Sequence, residues 1–175
     1  IIFKKKQLII KMFVINRKYN KEKVSFDKIL ERLIYLKTRI KKSSGIDCGL
    51  LAQKIVSRMY SGIKTTELDE LSAQICMSML TDNLSYGDLA CEISINNLHK
   101  NTSCCLLETY SRLYDIEESN GDRYNIINKN IITVITNNLI VLNKNINYDR
   151  DYILGYFGFK TLEKAYLLKK NGIIV

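Results

Sequence analysis

The sequence predicts a mainly α-helical fold that opens with a small β-hairpin, and three observations predict it. Apolar residues recur at the three- and four-residue spacing of a buried helix face in four successive segments between residues 26 and 100. Short connections separate those segments, with Gly45 and the pair Ser61 and Gly62 at two of the breaks. Ahead of the first helical segment, two short strand-like runs flank a polar stretch.

Residues 13–17 (FVINR) and 23–25 (KVS) are expected to pair as strands across the polar turn 18–22 (KYNKE). Ser25 then stands as a helix N-cap, with Asp27 in the first turn, where a carboxylate suits the positive end of the helix. Phe26, Ile29, Leu30, Leu33 and Ile34 form the inward stripe of a helix that should stop near Lys42, before Gly45. A second helix over 48–60 turns Leu51, Ile55, Val56 and Met59 inward and ends at Ser61 and Gly62. A third opens at Thr65 and Thr66 and carries Leu68, Leu71, Ile75 and Met79; a fourth, over 85–100, carries Tyr86, Leu89, Ala90 and Ile93. Short connections make these four antiparallel neighbours. Residues 104–115 and 123–142 are expected to be helical, separated by the loop EESNGD at 117–122. Asn171 and Gly172 between apolar runs predict a hairpin, and a chain that stops inside a hairpin is expected to be a fragment.

An apolar content of 46% with 26% charged residues is that of a soluble globular protein. The net charge of +9 suits an anionic partner, but the cations are dispersed and form no block of the kind found in nucleic-acid-binding tails. A solvated basic surface, nucleotide phosphates and nucleic acid all remain open on charge alone. The longest apolar run, IITVITNNLIVL at 131–142, is too short and too interrupted by asparagine to span a bilayer, and no secretory signal is visible. A soluble, intracellular protein is expected.

Five cysteines and one histidine, His99, give no CxxC and no zinc-ligand spacing. Cys76 and Cys91 fall inside helical apolar patterns and are expected to be buried thiols; Cys104 and Cys105 are adjacent, which makes a mutual disulfide strained. His99 on its own is expected to be a structural or surface residue rather than a catalyst. Neither glycine-rich phosphate loop, GxxxxGK[ST] or GxGxxG, is present. Thr66-x-x-Asp69 matches a capping box, and equally places a carboxylate at a helix start where it could accept from a sugar hydroxyl. Lys100 matches a cation at a helix C-terminus.

Four stretches in order, MFVINRKYNKEKVSFDKI (12–29), SGIKTTELDELSAQ (61–74), ISINNLHKNT (93–102) and INYDRDYILGYFGFKTLEKAYLLKKNG (146–172), resemble one family. It is the large subunit of class I ribonucleotide reductase, the ribonucleoside-diphosphate reductase of eukaryotic and viral type, at its amino-terminal ATP-cone and the helices that follow. The resemblance implies a hairpin lid on a four-helix ATP-cone over 12–102 and a truncated start of the large subunit's helical amino-terminal domain over 103–175. Residues 1–11 are then expected to be an upstream extension.

By that resemblance Arg17 binds phosphate, and Glu22, Lys23, Val24, Ser25, Phe26, Asp27 and Lys28 frame the base and phosphates, with Lys28 as a second cation. Thr65 and Asp69 meet the base and ribose, and Lys100 reaches the phosphates. Asn16 stands where the family usually has lysine, leaving Lys18 or Lys21 to supply the charge, and the turn has Lys18 and Tyr19 where Asp-Gly is common. The implied enzyme reduces ribonucleoside diphosphates with a thiyl radical and a pair of reducing cysteines. None of these matches the five cysteines here, so no catalytic residue is expected in this chain. ATP and dATP are the implied effectors, activating and inhibiting without covalent attachment, the latter by changing the oligomer of large subunits. The implied partner is a small subunit with a tyrosyl radical beside a di-iron centre, in the cytoplasm, with no membrane and no direct nucleic-acid contact. Two alternatives stand beside this reading: an ATP-cone transcriptional regulator, against which the absence of a CxxC zinc ribbon counts, and a basic helical nucleic-acid binder, supported by net charge.

Overall fold

The computed structural model describes residues 12–41, 44–115, 126–170 and 173–174. The expected extension 1–11, the loop 117–122, the helix end at Lys42 and the turn at Asn171 and Gly172 lie outside the described residues. The chain forms two compact units, Ile1–Asn97 and Leu98–Val175.

In the first unit, β1 (Phe13–Ile15) pairs antiparallel with β2 (Lys21–Lys23), Phe13 opposite Lys23 and Ile15 opposite Lys21. The turn therefore spans residues 16–20, not 18–22. Asn16 causes the shift: its Oδ1 accepts the amides of Lys18 and Asn20, each at 2.9 Å, and its own amide donates to the Asn20 carbonyl at 2.9 Å. Tyr19 closes the turn in the left-handed region, at φ 62°. A third strand that periodicity did not reveal, β3 (Ile63–Lys64), runs parallel along the other edge of β1, with Val14 opposite Ile63 and Ile15 opposite Lys64. Two residues are too few to show a period of two.

Three-residue strands do not persist alone. This sheet is fastened by an apolar cluster of Val14, Val24, Met59 and Ile63, against which Met12, Ile29, Val56, Leu68 and Leu71 pack. Each buried aliphatic side chain contributes about 1.5–3 kcal/mol, so the sheet is bound to the helices by burial more than by its own ladder.

Helix α1 (Phe26–Thr38) starts at Ser25, whose hydroxyl accepts the Lys28 amide. Its inward stripe is Ile29, Leu33 and Leu36 rather than one including Ile34, which is 47% exposed. Residues 29, 33 and 36 follow the drift of a 3.6-residue period toward the facing helix. Gly45 lies in the loop to α2 (Cys48–Arg58) at φ 79°, where a Cβ would collide with the Asn83 side-chain amide. Asp47 caps α2 by accepting from the Leu50 amide at 2.9 Å. Helices α3 (Thr65–Ser78) and α4 (Ser85–Asn101) complete the bundle, with Leu36, Leu51, Ile55, Ile75, Met79, Leu89, Ile93 and Ile95 fully buried. Cys48, Cys76 and Cys91 are free thiols in this core; burial pushes Cys76 up to about 12 and Cys91 to about 11.

The second unit contains α5 (Leu106–Tyr114), α6 (Lys129–Asn145), a 3-10 helix (Tyr148–Ile153), α7 (Gly155–Ala165), β4 (Lys169–Lys170) and β5 (Ile173–Ile174). Helix α6 begins later and ends later than its apolar pattern suggests, because the Asn128 side chain caps it by accepting the Asn130 amide at 2.9 Å. Strands β4 and β5 pair antiparallel, Lys170 opposite Ile173, as the expected hairpin requires. His99 Nε2 lies 2.7 Å from Asp151 Oδ2, with the rings of Tyr148 and Tyr152 edge-on to the imidazole. Among the described residues no helix is long and apolar enough to cross a membrane, and no His, Cys, Asp and Glu side chains gather as a metal site.

Candidate functional site

Parallel pairing of β1 with β3 decides what meets what. The chain leaves β1 into Asn16 and Arg17 and leaves β3 directly into α3, so Arg17 is set beside the first turns of that helix. Asp69, one turn into α3, is only 3% exposed. Arg17 Nη2 donates to Asp69 Oδ2 at 2.9 Å and to Asn97 Oδ1 at 2.6 Å. Arg32, from α1, pairs with the other carboxylate oxygen, Oδ1, and its Nη2 reaches Asn96 Oδ1 at 3.4 Å. Asn97 in turn donates to the Thr66 carbonyl at 3.2 Å. Each oxygen of one buried carboxylate thus holds its own guanidinium, and two asparagines of α4 steady the pair.

The capping alternative for Asp69 is excluded by this geometry. Helix α3 begins at Thr65, and the carboxylate at its start is Glu67, which accepts the Lys64 amide at 3.4 Å and the Tyr60 hydroxyl at 2.8 Å. That hydroxyl bond pushes the Tyr60 phenol above its ordinary range.

The other expected site residues divide by position. Asn16, besides organising the turn, donates from Nδ2 to Glu22 Oε1 at 2.6 Å. Glu22 also lies 4.0 Å from Lys28 Nζ, so the lid and the first turn of α1 share an exposed acid–base pair. Lys23 is exposed on β2, Asp27 is exposed on α1, and Ser25, Phe26 and Thr65 are half-buried. Val24 is buried beneath the hairpin, with its amide given to the Met12 carbonyl at 3.1 Å. Lys18 is exposed; Lys21 lies over the Phe13 ring at 5.0 Å. Lys100 is exposed in the last turn of α4 and belongs to the second unit.

Three residues of this cluster went unread in the sequence: Arg32, Asn96 and Asn97. A signal was present for each. Arg32 stands one helical turn after Lys28, and the paired asparagines interrupt an apolar helix.

No protein-family model matches the chain. Curated relatives do. The chain is 42% identical over 164 residues to a Plasmodium falciparum ribonucleoside-diphosphate reductase large subunit, covering 94% of this chain and 20% of the relative. It is 41% identical over 162 residues to the Saccharomyces cerevisiae ribonucleoside-diphosphate reductase large chain 2, covering 92% and 18%. It is 40% identical over 165 residues to the monkeypox virus large subunit, covering 94% and 21%. Along nearly all of its length the chain is similar to ribonucleoside-diphosphate reductase large subunits. It spans about one fifth of the length of the relatives it matches. The Arg17, Arg32 and Asp69 cluster is a charged group around one buried carboxylate, formed at the meeting of a hairpin, a strand end and three helices.

Proposed function

We propose that this chain is the allosteric nucleotide-sensing part of a ribonucleoside-diphosphate reductase large subunit. ATP bound under the β1–β2 lid activates the whole enzyme and dATP inhibits it. The observation that carries this reading is the Arg17–Asp69–Arg32 cluster beneath the hairpin: guanidinium forks suit phosphate oxygens, and a carboxylate suits a ribose hydroxyl. Lys28, exposed at the start of α1, adds a cation within reach of the lid acid Glu22. The whole enzyme, on this reading, reduces ribonucleoside diphosphates to deoxyribonucleotides in the cytoplasm. It does so with a small subunit that carries a di-iron tyrosyl radical, and in oligomers of large subunits. The 175 residues supply regulation and no catalytic group.

Calorimetric titration of the chain with ATP, dATP and duplex DNA tests the reading. Both nucleotides are expected to bind and the duplex is not. Arg17→Ala should weaken ATP binding by about ten- to a hundredfold, the range for losing a hydrogen bond to a charged group, and Lys18→Ala far less. Duplex binding without nucleotide binding, or equal small effects of the two substitutions, overturns it in favour of a diffuse basic surface.

A further inference from the structure

Arg17 and Arg32 hold the same carboxylate, yet the chain presents them differently. Arg17 comes from the turn of a hairpin whose strands are three residues long. Arg32 comes from the middle of α1, a thirteen-residue helix anchored by Leu33 and Leu36, which are buried in the core. Arg17 Nη2 is committed twice over, to Asp69 Oδ2 and to Asn97 Oδ1. It cannot turn that nitrogen to a phosphate without releasing Asp69. Asp69, 3% exposed, cannot then be rescued by water.

We propose that Arg32 is the standing counter-ion of Asp69, the residue that allows Arg17 to exchange between Asp69 and a nucleotide phosphate. This rests on the nucleotide reading above and adds a mechanism to it. When phosphate draws Arg17 away, Oδ2 of Asp69 becomes available to accept a ribose hydroxyl, while Arg32 remains on Oδ1 with Asn96 behind it. The buried carboxylate is never left without a cation. Without Arg32, binding removes the last cation from a buried charge, and that cost appears as lost affinity. Arg32 is therefore a positioning residue: it acts on the ligand through Asp69.

The test uses the 175-residue chain with two probes, ATP and tripolyphosphate, the second lacking any ribose. Calorimetry on the wild type, Arg32→Gln, Arg32→Lys, Asp69→Asn and the Arg32→Gln/Asp69→Asn double variant is combined with melting curves. Arg32→Gln should weaken both probes by about tenfold or more, the effect of stranding a buried charge, and Arg32→Lys, which keeps a cation, should weaken them less. The double variant has no charge to strand, so tripolyphosphate should return to within a few-fold of the wild type. Asp69→Asn alone should bind tripolyphosphate at least as tightly as the wild type, a result that holds even if Arg32→Gln does not fold. An Arg32→Gln chain that is folded and binds normally overturns the inference. So does a double variant as weak as Arg32→Gln, which would make Arg32 a direct phosphate ligand, and so does a weaker Asp69→Asn. A wild type that binds neither probe overturns the nucleotide reading itself, a failure distinct from the other three.

Discussion

Asn16 is the substitution through which the lid can be interrogated most directly. Its side chain makes three hydrogen bonds: Nδ2 to Glu22 across the hairpin, and Oδ1 from the Lys18 and Asn20 amides within the turn. All three are solvent-exposed, so water replaces part of each when the side chain is removed. At a net worth of about 0.5–1.5 kcal/mol per bond, taken near the low end, Asn16→Ala should cost about 1–2 kcal/mol. The hairpin does not float free of the bundle, because Val14 and Val24 sit in one cluster with Met59 and Ile63. Loss in the turn should therefore register in cooperative unfolding as a fall in melting temperature of about 5–10 °C for a unit of this size. Circular dichroism melts give that number, and amide hydrogen exchange gives its location, since the Lys18 and Asn20 amides should lose protection first. Asn16→Lys loses the two bonds that Oδ1 accepts within the turn, while its ammonium can still donate to Glu22, so it should be destabilised somewhat less. An unchanged melt with unchanged protection at residues 18 and 20, or a stabilised Asn16→Lys, would refute the turn-organising role.

Three further outcomes follow from the same structure. Tyr19 is 84% exposed at φ 62°, a conformation costing a side-chain-bearing residue about 1–2 kcal/mol but entered readily by asparagine, so Tyr19→Asn should stabilise the chain by about 0.5–1 kcal/mol; an equal or lower melting temperature counts against it. Cys104 and Cys105 are exposed whereas Cys48, Cys76 and Cys91 are buried, so a thiol reagent at pH 8 should modify two cysteines rapidly in the native chain and five after denaturation; rapid reaction of a third would show the core thiols to be accessible. Because folding raises the Cys76 and Cys91 thiols to about 12 and about 11, their neutral forms support the fold fully below pH 9, and stability should fall as pH rises from 9 through those values.

Much of the bundle was legible in the sequence because helical periodicity is redundant. Tyr86, Leu89, Ala90 and Ile93 on α4 are all buried as their spacing requires. Where a helix carried more apolar residues than one face holds, the pattern could not choose: Ile34 was read inward and Leu36 is the buried residue. Elements fixed by a single side chain were also illegible. Asn16 moves the hairpin turn by two residues through hydrogen bonds that have no periodicity, and β3 exists because β1 offers it an edge. The Asp69 cluster lay between these cases. Arg17 and Asp69 could be named through the family resemblance, but their pairing depends on the parallel register of β1 with β3, which places positions 17 and 69 in contact across 52 residues of chain.

The same register explains how a chain with asparagine at position 16 keeps a concentrated positive site. A lysine there would bring charge on a flexible stem at an exposed hairpin turn, where water screens it. Asn16 instead fixes the turn from which Arg17 departs, and the charge is gathered deeper, on Arg17 and Arg32 around one carboxylate. Two guanidinium groups against a single aspartate leave the cluster with one net positive charge, and the low exposure of Asp69 keeps that charge in a weakly screened setting. On the proposed nucleotide reading, an arriving phosphate draws Arg17 from Asp69 and Asn97, while Arg32 stays on the carboxylate with Asn96 behind it. On the nucleotide reading, the arrangement trades the number of cations for their placement, and its dependence on the turn that Asn16 organises brings this uncharged residue into the site.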